Sequence, residues 1–439
     1  MSYLHDIIDE ILFILQEIQV FTDEEVNELN KSIKLQLEDY ISNNILDIMN
    51  PDFDKKLTQT CYETNLLQII HLYNENIHDR IEYKLKYLIH HAKISLYTKM
   101  IPPRSYKNSY IRRIIPNQEH LTEKINILQS MPQPNQRSDE WYIFRHNLLT
   151  ASSIWKAFGS QASKNQLIYE KCKPHCIFKG APINSPLHWG QKYEPVSVEF
   201  YTKSYNTEIS DFGCIQHPKY PFIGASPDGI NTDANNARYG RMLEVKNIVN
   251  RVINGIPKME YWIQMQIQME TCDLNECDFL ETKFVEYENE EAFNSDGSYT
   301  YSADNKLKGQ MIMFYINGSV HYEYAPLYNT EKEFCEWEKD ILNKNSHGEW
   351  IKNIFWKLEI YSNILVLRNK LWFEASIPII EELWNNVINE RISGYEHRAP
   401  NKRKRIPKLT EELIVNKCYI QTNTDMPTNT DMPTNMDTI

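Results

Sequence analysis

The residues best suited to do chemistry are Asp228, Glu244 and Lys246, carried by Gly224-Ala225-Ser226-Pro227-Asp228-Gly229-Ile230 and Arg241-Met242-Leu243-Glu244-Val245-Lys246. Two carboxylates can hold a hard divalent cation, with waters and phosphate oxygens completing its octahedron. Such a cation polarises a phosphoryl group and lowers the pKa of a bound water, and a nearby ammonium offsets charge developing on the phosphate. The chemistry is therefore metal-assisted phosphodiester hydrolysis. On a strand, alternate side chains share a face, so Glu244 and Lys246 point the same way while Val245 faces the core. Asp228 reaches that face if the chain returns as a hairpin, and Gly229, Asn231, Asp233, Asn235 and Asn236 supply turn chemistry for it. A second Glu-x-Lys, Glu281-Thr282-Lys283, lies in the strand-like run Cys277 to Tyr287 and reads as a solvated strand face. Only the first copy follows a Ser-Pro-Asp-Gly turn.

Further motifs surround this centre. In order come Ser138-Asp139-Glu140-Trp141-Tyr142, Arg145, Thr150-Ala151-Ser152, Gly190-Gln191-Lys192-Tyr193-Glu194-Pro195, the two stretches above, and Tyr261-x-x-Gln264-x-Gln266. The set, over roughly residues 136 to 287, resembles the YqaJ-type viral recombinase nucleases, the lambda exonuclease-like branch of the PD-(D/E)XK superfamily. The resemblance implies an α/β core with a mixed central sheet flanked by helices. It implies Mg2+ as cofactor, with Mn2+ as substitute, and a metal shell of Asp228, Glu244, Val245 and Glu194. Lys246 and Gln264 join Asp228 and Glu244 in the catalytic set, and Arg145 with Ser152 grips a terminal 5′-phosphate. An arginine fork and a hydroxyl near a helix N-terminus are suitable donors for that. The implied activity is 5′-to-3′ digestion of double-stranded DNA, leaving single strands for recombination or repair. The implied partners are a single-strand annealing protein and further copies of the chain. Read without the resemblance, Arg145 is an exposed helix charge and Glu194 a solvated helical glutamate. A structure-selective endonuclease on the same core, and a non-catalytic DNA-binding scaffold, are the competing readings.

The elements that must position these residues follow from glycine placement. All 13 glycines lie at or beyond Gly159. Helices exclude glycine and tight turns use it, so the first 130 residues read as all-α and the middle as turn-rich α/β. Within the first part, Leu4, Ile7, Ile8, Ile11, Leu15 and Ile18 form one stripe of a helix over Tyr3 to Val20. Thr22-Asp23-Glu24-Glu25 is a capping-box start, and later helical runs cover Leu66 to Tyr73 and Ile81 to Tyr97. Residues 1–130 are read as a helical accessory domain ending in the basic, aromatic linker Ile101 to Arg113. The nuclease domain is expected over 131–397. Trp141 to Phe158 should be helical with a break at Thr150, and Glu194 should lie on a helix opened by Gly190. A hairpin should turn at Asn317-Gly318, followed by a strand at Ile364 to Leu367 and a helix from Pro378 to Asn389. Residues 398–439 hold a basic cluster and an imperfect Thr-Asn-Thr-Asp-Met-Pro repeat too polar to pack a core.

Composition narrows the remaining classes. The chain has 439 residues, 41% of them apolar, and a net charge of −12. An acidic average still permits a locally basic cleft for DNA. No window is apolar enough to span a bilayer, and Asp6, Asp9 and Glu10 occupy the place of a basic signal-peptide region. No membrane association is expected, and the location should be intracellular: host cytoplasm, a viral replication compartment, or the nucleus through the basic cluster. The eight cysteines are scattered and read as free thiols; Cys172-Lys173-Pro174-His175-Cys176 lacks the second ligand pair of a zinc site. An Asn-, Ile- and Tyr-rich composition fits an AT-rich genome, and the resemblance points to a large DNA virus.

Overall fold

The computed structural model describes residues 21–71, 78–107, 117–134, 136, 138–174, 182–183 and 185–400. The helix expected over Tyr3 to Val20 and the repeat-bearing tail lie outside them. Helix α1 (Asp23–Asn43) opens with the expected capping box, the Thr22 hydroxyl accepting from the Glu25 N–H while the Glu25 carboxylate takes the Thr22 N–H. Its buried Ile33, Leu37 and Ile41 recur every fourth residue. Helix α2 (Phe53–Ile70) buries Phe53, Leu57, Cys61, Asn65 and Ile69 on the same period. It therefore starts well before the Leu66 boundary read from the sequence, because packing of Phe53 and Leu57 sustains a polar-looking first half. Helix α3 (His78–Lys99) completes this layer with Leu85, Ile89, Ala92 and Leu96.

Where it is described, the basic, aromatic linker after α3 packs against the fold. Arg104 is buried, its Nε and Nη2 donating to the Met49 carbonyl at 3.2 and 2.9 Å. Trp262 Nε1 donates to the Arg104 carbonyl at 2.9 Å. Tyr106 forms a bridge to Leu365. The N-terminal helices thus share one hydrophobic core with the elements around the sheet.

Helices α4 (Gln118–Ser130) and α5 (Asp139–His146) lead to β1 (Leu149–Thr150), then α6 (Ala151–Ile154), α7 (Gln161–Cys172) and α8 (Pro186–Tyr205). Strands β2 (Ile209–Ser210), β3 (Ile215–Gln216), β4 (Ile223–Ala225), β5 (Gly229–Asn231) and β6 (Met242–Asn247) precede α9 (Met259–Cys272) and β7 (Glu276–Glu286). After α10 (Glu290–Ser295) come β8 (Lys308–Ile316), β9 (Ser319–Tyr324), α11 (Glu331–Lys344), β10 (Glu349–Leu367) and α12 (Lys370–Ser393). The main sheet has the order β2-β5-β6-β7-β10-β8-β9, and the small sheet β1-β4-β3. Among the described residues only β6 and β7 pair in parallel within the main sheet, joined through α9, so the sheet is mixed as expected. Leu243 and Val245 pack into a core with Tyr193, Val196 and Tyr201 of α8, whereas Met242 joins the core containing Trp262 and Ile263 of α9. This alternation turns Glu244 toward α9.

The β8–β9 hairpin turns at Asn317 and Gly318, both with positive φ (50° and 84°), as a two-residue Asn-Gly loop requires. Helix α12 departs from the expectation. Pro378 lies inside it, because Asn369 caps the Trp372 N–H at 3.0 Å and burial of Trp372 and Phe373 starts the helix two turns earlier. Strand β7 also departs: Glu281 and Thr282 are fully buried, not solvated, since β6 and β10 flank them and α9 covers the face that Glu281 shares with Lys246.

Candidate active site

The hairpin β5–β6 brings Asp228 to Glu244. Gly229 pairs with Leu243 in the antiparallel ladder, which sets Asp228 opposite Glu244, and the Val245 N–H donates to Asp228 Oδ2 at 2.7 Å. Gly229 is required by crowding, since a Cβ there would stand 2.2 Å from Ile209 Cγ2. The return loop is built by side chain to backbone bonds: Asn231 Oδ1 accepts from the Asp233 N–H, Asp233 Oδ1 from Asn235, and Asn236 Oδ1 from Arg238. These are the turn residues expected from the sequence.

Glu244 is fully buried, and its neighbours Lys246 and Asp228 line, with Glu194, Val245, Arg251 and Tyr261, a cleft of about 570 Å3. One of its oxygens pairs with Lys246 Nζ, and the other accepts from Gln268 Nε2 at 2.7 Å. Burial, then the charges of Glu244 and Glu194, hold the Asp228 carboxyl well above the usual carboxylate range. Burial works against the Lys246 charge, but Glu244 and Asp228 outweigh it and raise its ammonium above the ordinary lysine range. Within α8, Pro195 lacks the N–H that would bond the Gln191 carbonyl, loosening the helix beside Glu194.

This donor set fits a hard divalent cation. Asp228, Glu244 and Glu194 stand with one lysine, and the charges of Glu244 and Glu194 add to burial in raising the Asp228 carboxyl. Asp228 and Glu244 would hold the cation. The Val245 side chain is buried and apolar, so only its backbone carbonyl can take part. Among the described residues no three His, Cys, Asp or Glu side chains already stand at ligand spacing. A Mg2+ site needs only one or two carboxylates, with waters and substrate oxygens filling the rest.

A cationic pocket adjoins the acids. Arg145, near the end of α5, donates from Nη1 to Ser226 Oγ at 3.0 Å and from Nη2 to Ser152 Oγ at 3.3 Å. Its guanidinium lies 4.2 Å from the Trp141 ring centroid. Strand β1 places Ser152 here by pairing in parallel with β4, Thr150 against Gly224. Below, Lys171 Nζ donates to the Arg145 carbonyl at 2.6 Å, and Arg391 donates to the carbonyls of Lys171 and His146 at 2.8 and 3.1 Å. Burial, with the charges of Arg145 and Arg391, lowers Lys171 to about 7. Among the described residues no carboxylate pairs with Arg145. Ser226 stands two residues before Asp228, so one turn joins the cationic pocket to the acids.

The structure gathers Asp228, Glu244, Val245, Lys246 and Glu194 in one cleft and Arg145 with Ser152 in the adjoining pocket. Gln264 is buried on α9 without a hydrogen bond to either acid. The amide on Glu244 belongs to Gln268, one helical turn later, which also reaches the Ser226 carbonyl at 3.4 Å. Gln266 bonds the Leu367 carbonyl and the Asn369 N–H, tying α9 to the start of α12. Sequence reasoning therefore singled out none of Gln268, Lys171 and Arg251, took Ser226 only as part of a turn, and read Glu281 as solvated. The i, i+4 spacing from Gln264 was a usable signal for Gln268, and Ser226 stood inside the Ser-Pro-Asp-Gly motif. Cys172 is buried against the Val387 carbonyl, and residues 175–181 lie outside the described set.

Residues 140–275 match the family model of the YqaJ-like viral recombinase domain. The chain is 28% identical over 338 residues to an uncharacterised protein of Acanthamoeba polyphaga mimivirus, a match covering 68% of this chain and 60% of that protein. It thus spans about three fifths of that relative's length. Among solved structures, it is similar to an alkaline exonuclease of Laribacter hongkongensis. The identity is 18% and the TM-score 0.32, with 59% of this chain and 95% of the other covered. The same exonuclease in complex with dAMP matches at 17% identity and a TM-score of 0.33, covering 58% and 94%. Among the described residues no helix is long and apolar enough to cross a membrane.

Proposed function

We propose that this chain, which carries a YqaJ-like viral recombinase domain over residues 140–275, is a divalent-metal-dependent deoxyribonuclease that digests duplex DNA from a 5′-phosphorylated end. The observation that carries the reading is the convergence of Asp228, Glu244 and Lys246 beside one cleft, next to an arginine pocket in which no described carboxylate pairs with Arg145. A nuclease needs negative charge where a cation binds and positive charge where phosphate binds. The turn Ser226-Pro227-Asp228 spans the two.

In this reading, Asp228 and Glu244 hold Mg2+ or Mn2+, with the Val245 carbonyl and Glu194 beside them. When bound, the cation supplies an activated water and Lewis-acid polarisation of the scissile phosphate. The Val245 N–H fixes the Asp228 carboxylate, and Gln268 fixes that of Glu244. Lys246 stands where it can offset charge developing on the phosphate as the water adds to phosphorus and the 3′-oxygen leaves. Arg145 anchors the terminal phosphate with the Ser152 and Ser226 hydroxyls, which sets how far from the end the cut falls. The products would be mononucleotides and a single strand suited to annealing in recombination or repair.

The test is digestion of end-labelled linear DNA and covalently closed circles with Mg2+. Release of label from linear duplex with circles untouched supports the reading. Equal cutting of both replaces it with an endonuclease on the same core, and no cutting of either with Mg2+ or Mn2+ ends it.

A further inference from the structure

The second Glu-x-Lys motif places a buried acid beside the first. In the parallel β6–β7 ladder Lys246 pairs with Glu281, so the two side chains leave the same face of neighbouring strands about 4.8 Å apart. Glu281 is fully buried. Its Oε1 is held by Arg251 Nη2, but its Oε2, also buried, has no hydrogen-bond partner among the described residues. A buried charged acceptor left half-satisfied is uncommon in a native fold and asks for a reason. Both cations lie near one ring: Lys246 Nζ is 5.3 Å and Arg251 Cζ 5.4 Å from the Tyr261 centroid.

Lys246 now sits on Glu244, the acid that must give its oxygen to a cation if the proposed nuclease reading holds. A cation arriving there displaces the ammonium, which needs another counter-charge to stay in the cleft. We propose that Glu281 is that counter-charge: a positioning residue whose open Oε2 receives Lys246 when a divalent cation takes Glu244, while Arg251 stays on Oε1. The ammonium then moves from one carboxylate to the other, near the Tyr261 ring. It stays beside the scissile phosphate and leaves Glu244 open. The inference rests on the nuclease reading and adds a role for an acid outside the catalytic set.

The test is Mn2+ binding by titration calorimetry, without DNA, on the full chain. Four proteins are compared: wild type, Glu281→Gln, Lys246→Met and the double variant. Glutamine keeps the shape of the side chain and an acceptor for Arg251. Losing one charge-assisted acceptor for Lys246 should weaken Mn2+ binding roughly ten-fold in Glu281→Gln. With no ammonium to place, Glu281→Gln should change binding less than about two-fold in the Lys246→Met background. A wild-type Mn2+ affinity in Glu281→Gln overturns the proposal. The same ten-fold loss in both backgrounds also overturns it, since Glu281 would then act through its field or the fold and not through Lys246. Parallel DNA digestion by the wild type separates the two readings: a wild type that cuts DNA and binds Mn2+, with Glu281→Gln binding equally, sinks this inference alone. A wild type that neither binds Mn2+ nor cuts DNA sinks both.

Discussion

Replacing Arg145 with alanine separates end-anchored cleavage from any other use of the cleft. Its guanidinium is fixed by Ser226 at 3.0 Å, Ser152 at 3.3 Å and the Trp141 ring, so it meets a phosphate already oriented. A charge-assisted hydrogen bond is worth about 1.5 to 3 kcal/mol, or about 10- to 100-fold in rate. Lys171 argues for the lower half of that range. Its pKa of about 7 is depressed in part by Arg145, so without the guanidinium it holds its proton more firmly and restores some positive charge. Stability should change little, because burial already works against the Arg145 charge and no carboxylate among the described residues loses a partner. The assay compares wild type and Arg145→Ala on duplexes with 5′-phosphate and 5′-hydroxyl ends, the phosphate serving as the second mutation of a cycle. Wild type should prefer the phosphorylated end by about 10-fold or more, and the variant should lose most of that preference. An equal slowing on both ends refutes the phosphate-anchor assignment.

Other consequences are as direct. Asp228→Asn and Glu244→Gln should each lower Mg2+-dependent cleavage by about 10³-fold or more, the scale of losing a Lewis-acid contribution of several kcal/mol. Asp228→Asn should also raise the melting temperature of the metal-free protein, because it removes a charge that burial and Glu244 oppose; a lower value would contradict the crowded-acid account. Gln268→Leu leaves a Glu244 oxygen buried without its donor and should cost about 1 to 3 kcal/mol of stability in denaturant unfolding, with a roughly ten-fold slower rate. Unchanged values would show the amide to be incidental. Burial, with the charges of Arg368 and Lys219, lowers His217 to about 4, and its Nδ1 accepts from the Lys219 and Tyr220 N–H groups at 3.1 and 3.2 Å. Since the unfolded chain protonates first, near 6.5, stability should be lost as pH falls from 6.5 to about 4, by about 3 kcal/mol at most. His217→Asn keeps an acceptor but cannot titrate and should flatten that dependence; an equally steep fall assigns it to other groups.

Whatever depends on near neighbours along the chain was legible before folding. Strand alternation gave Glu244 and Lys246 one face, asparagine and aspartate side chains marked the β5–β6 return, and Asn317-Gly318 marked the β8–β9 turn. The capping box at Thr22 follows from bonds spanning three residues, whereas the break at Thr150 is held by pairing with Gly224 on β4. Period and capping misled where packing opposed them. Pro378 reads as a helix start, yet buried Trp372 and Phe373 carry α12 through it, and Phe53 begins α2 ahead of any strong stripe. Only the tertiary structure decided which groups hold the acids. Parallel strands β6 and β7 meet through α9, and their register, which pairs Lys246 with Glu281, leaves no trace in local spacing. The same holds for Gln268 on Glu244, Ser226 on Arg145 and Lys171 beneath it, partners 24, 81 and 26 residues apart. Charge and turn chemistry named the candidate groups because those are properties of single residues and short loops. Burial chose their partners, because a desolvated carboxylate or guanidinium must be satisfied by whatever the fold brings beside it.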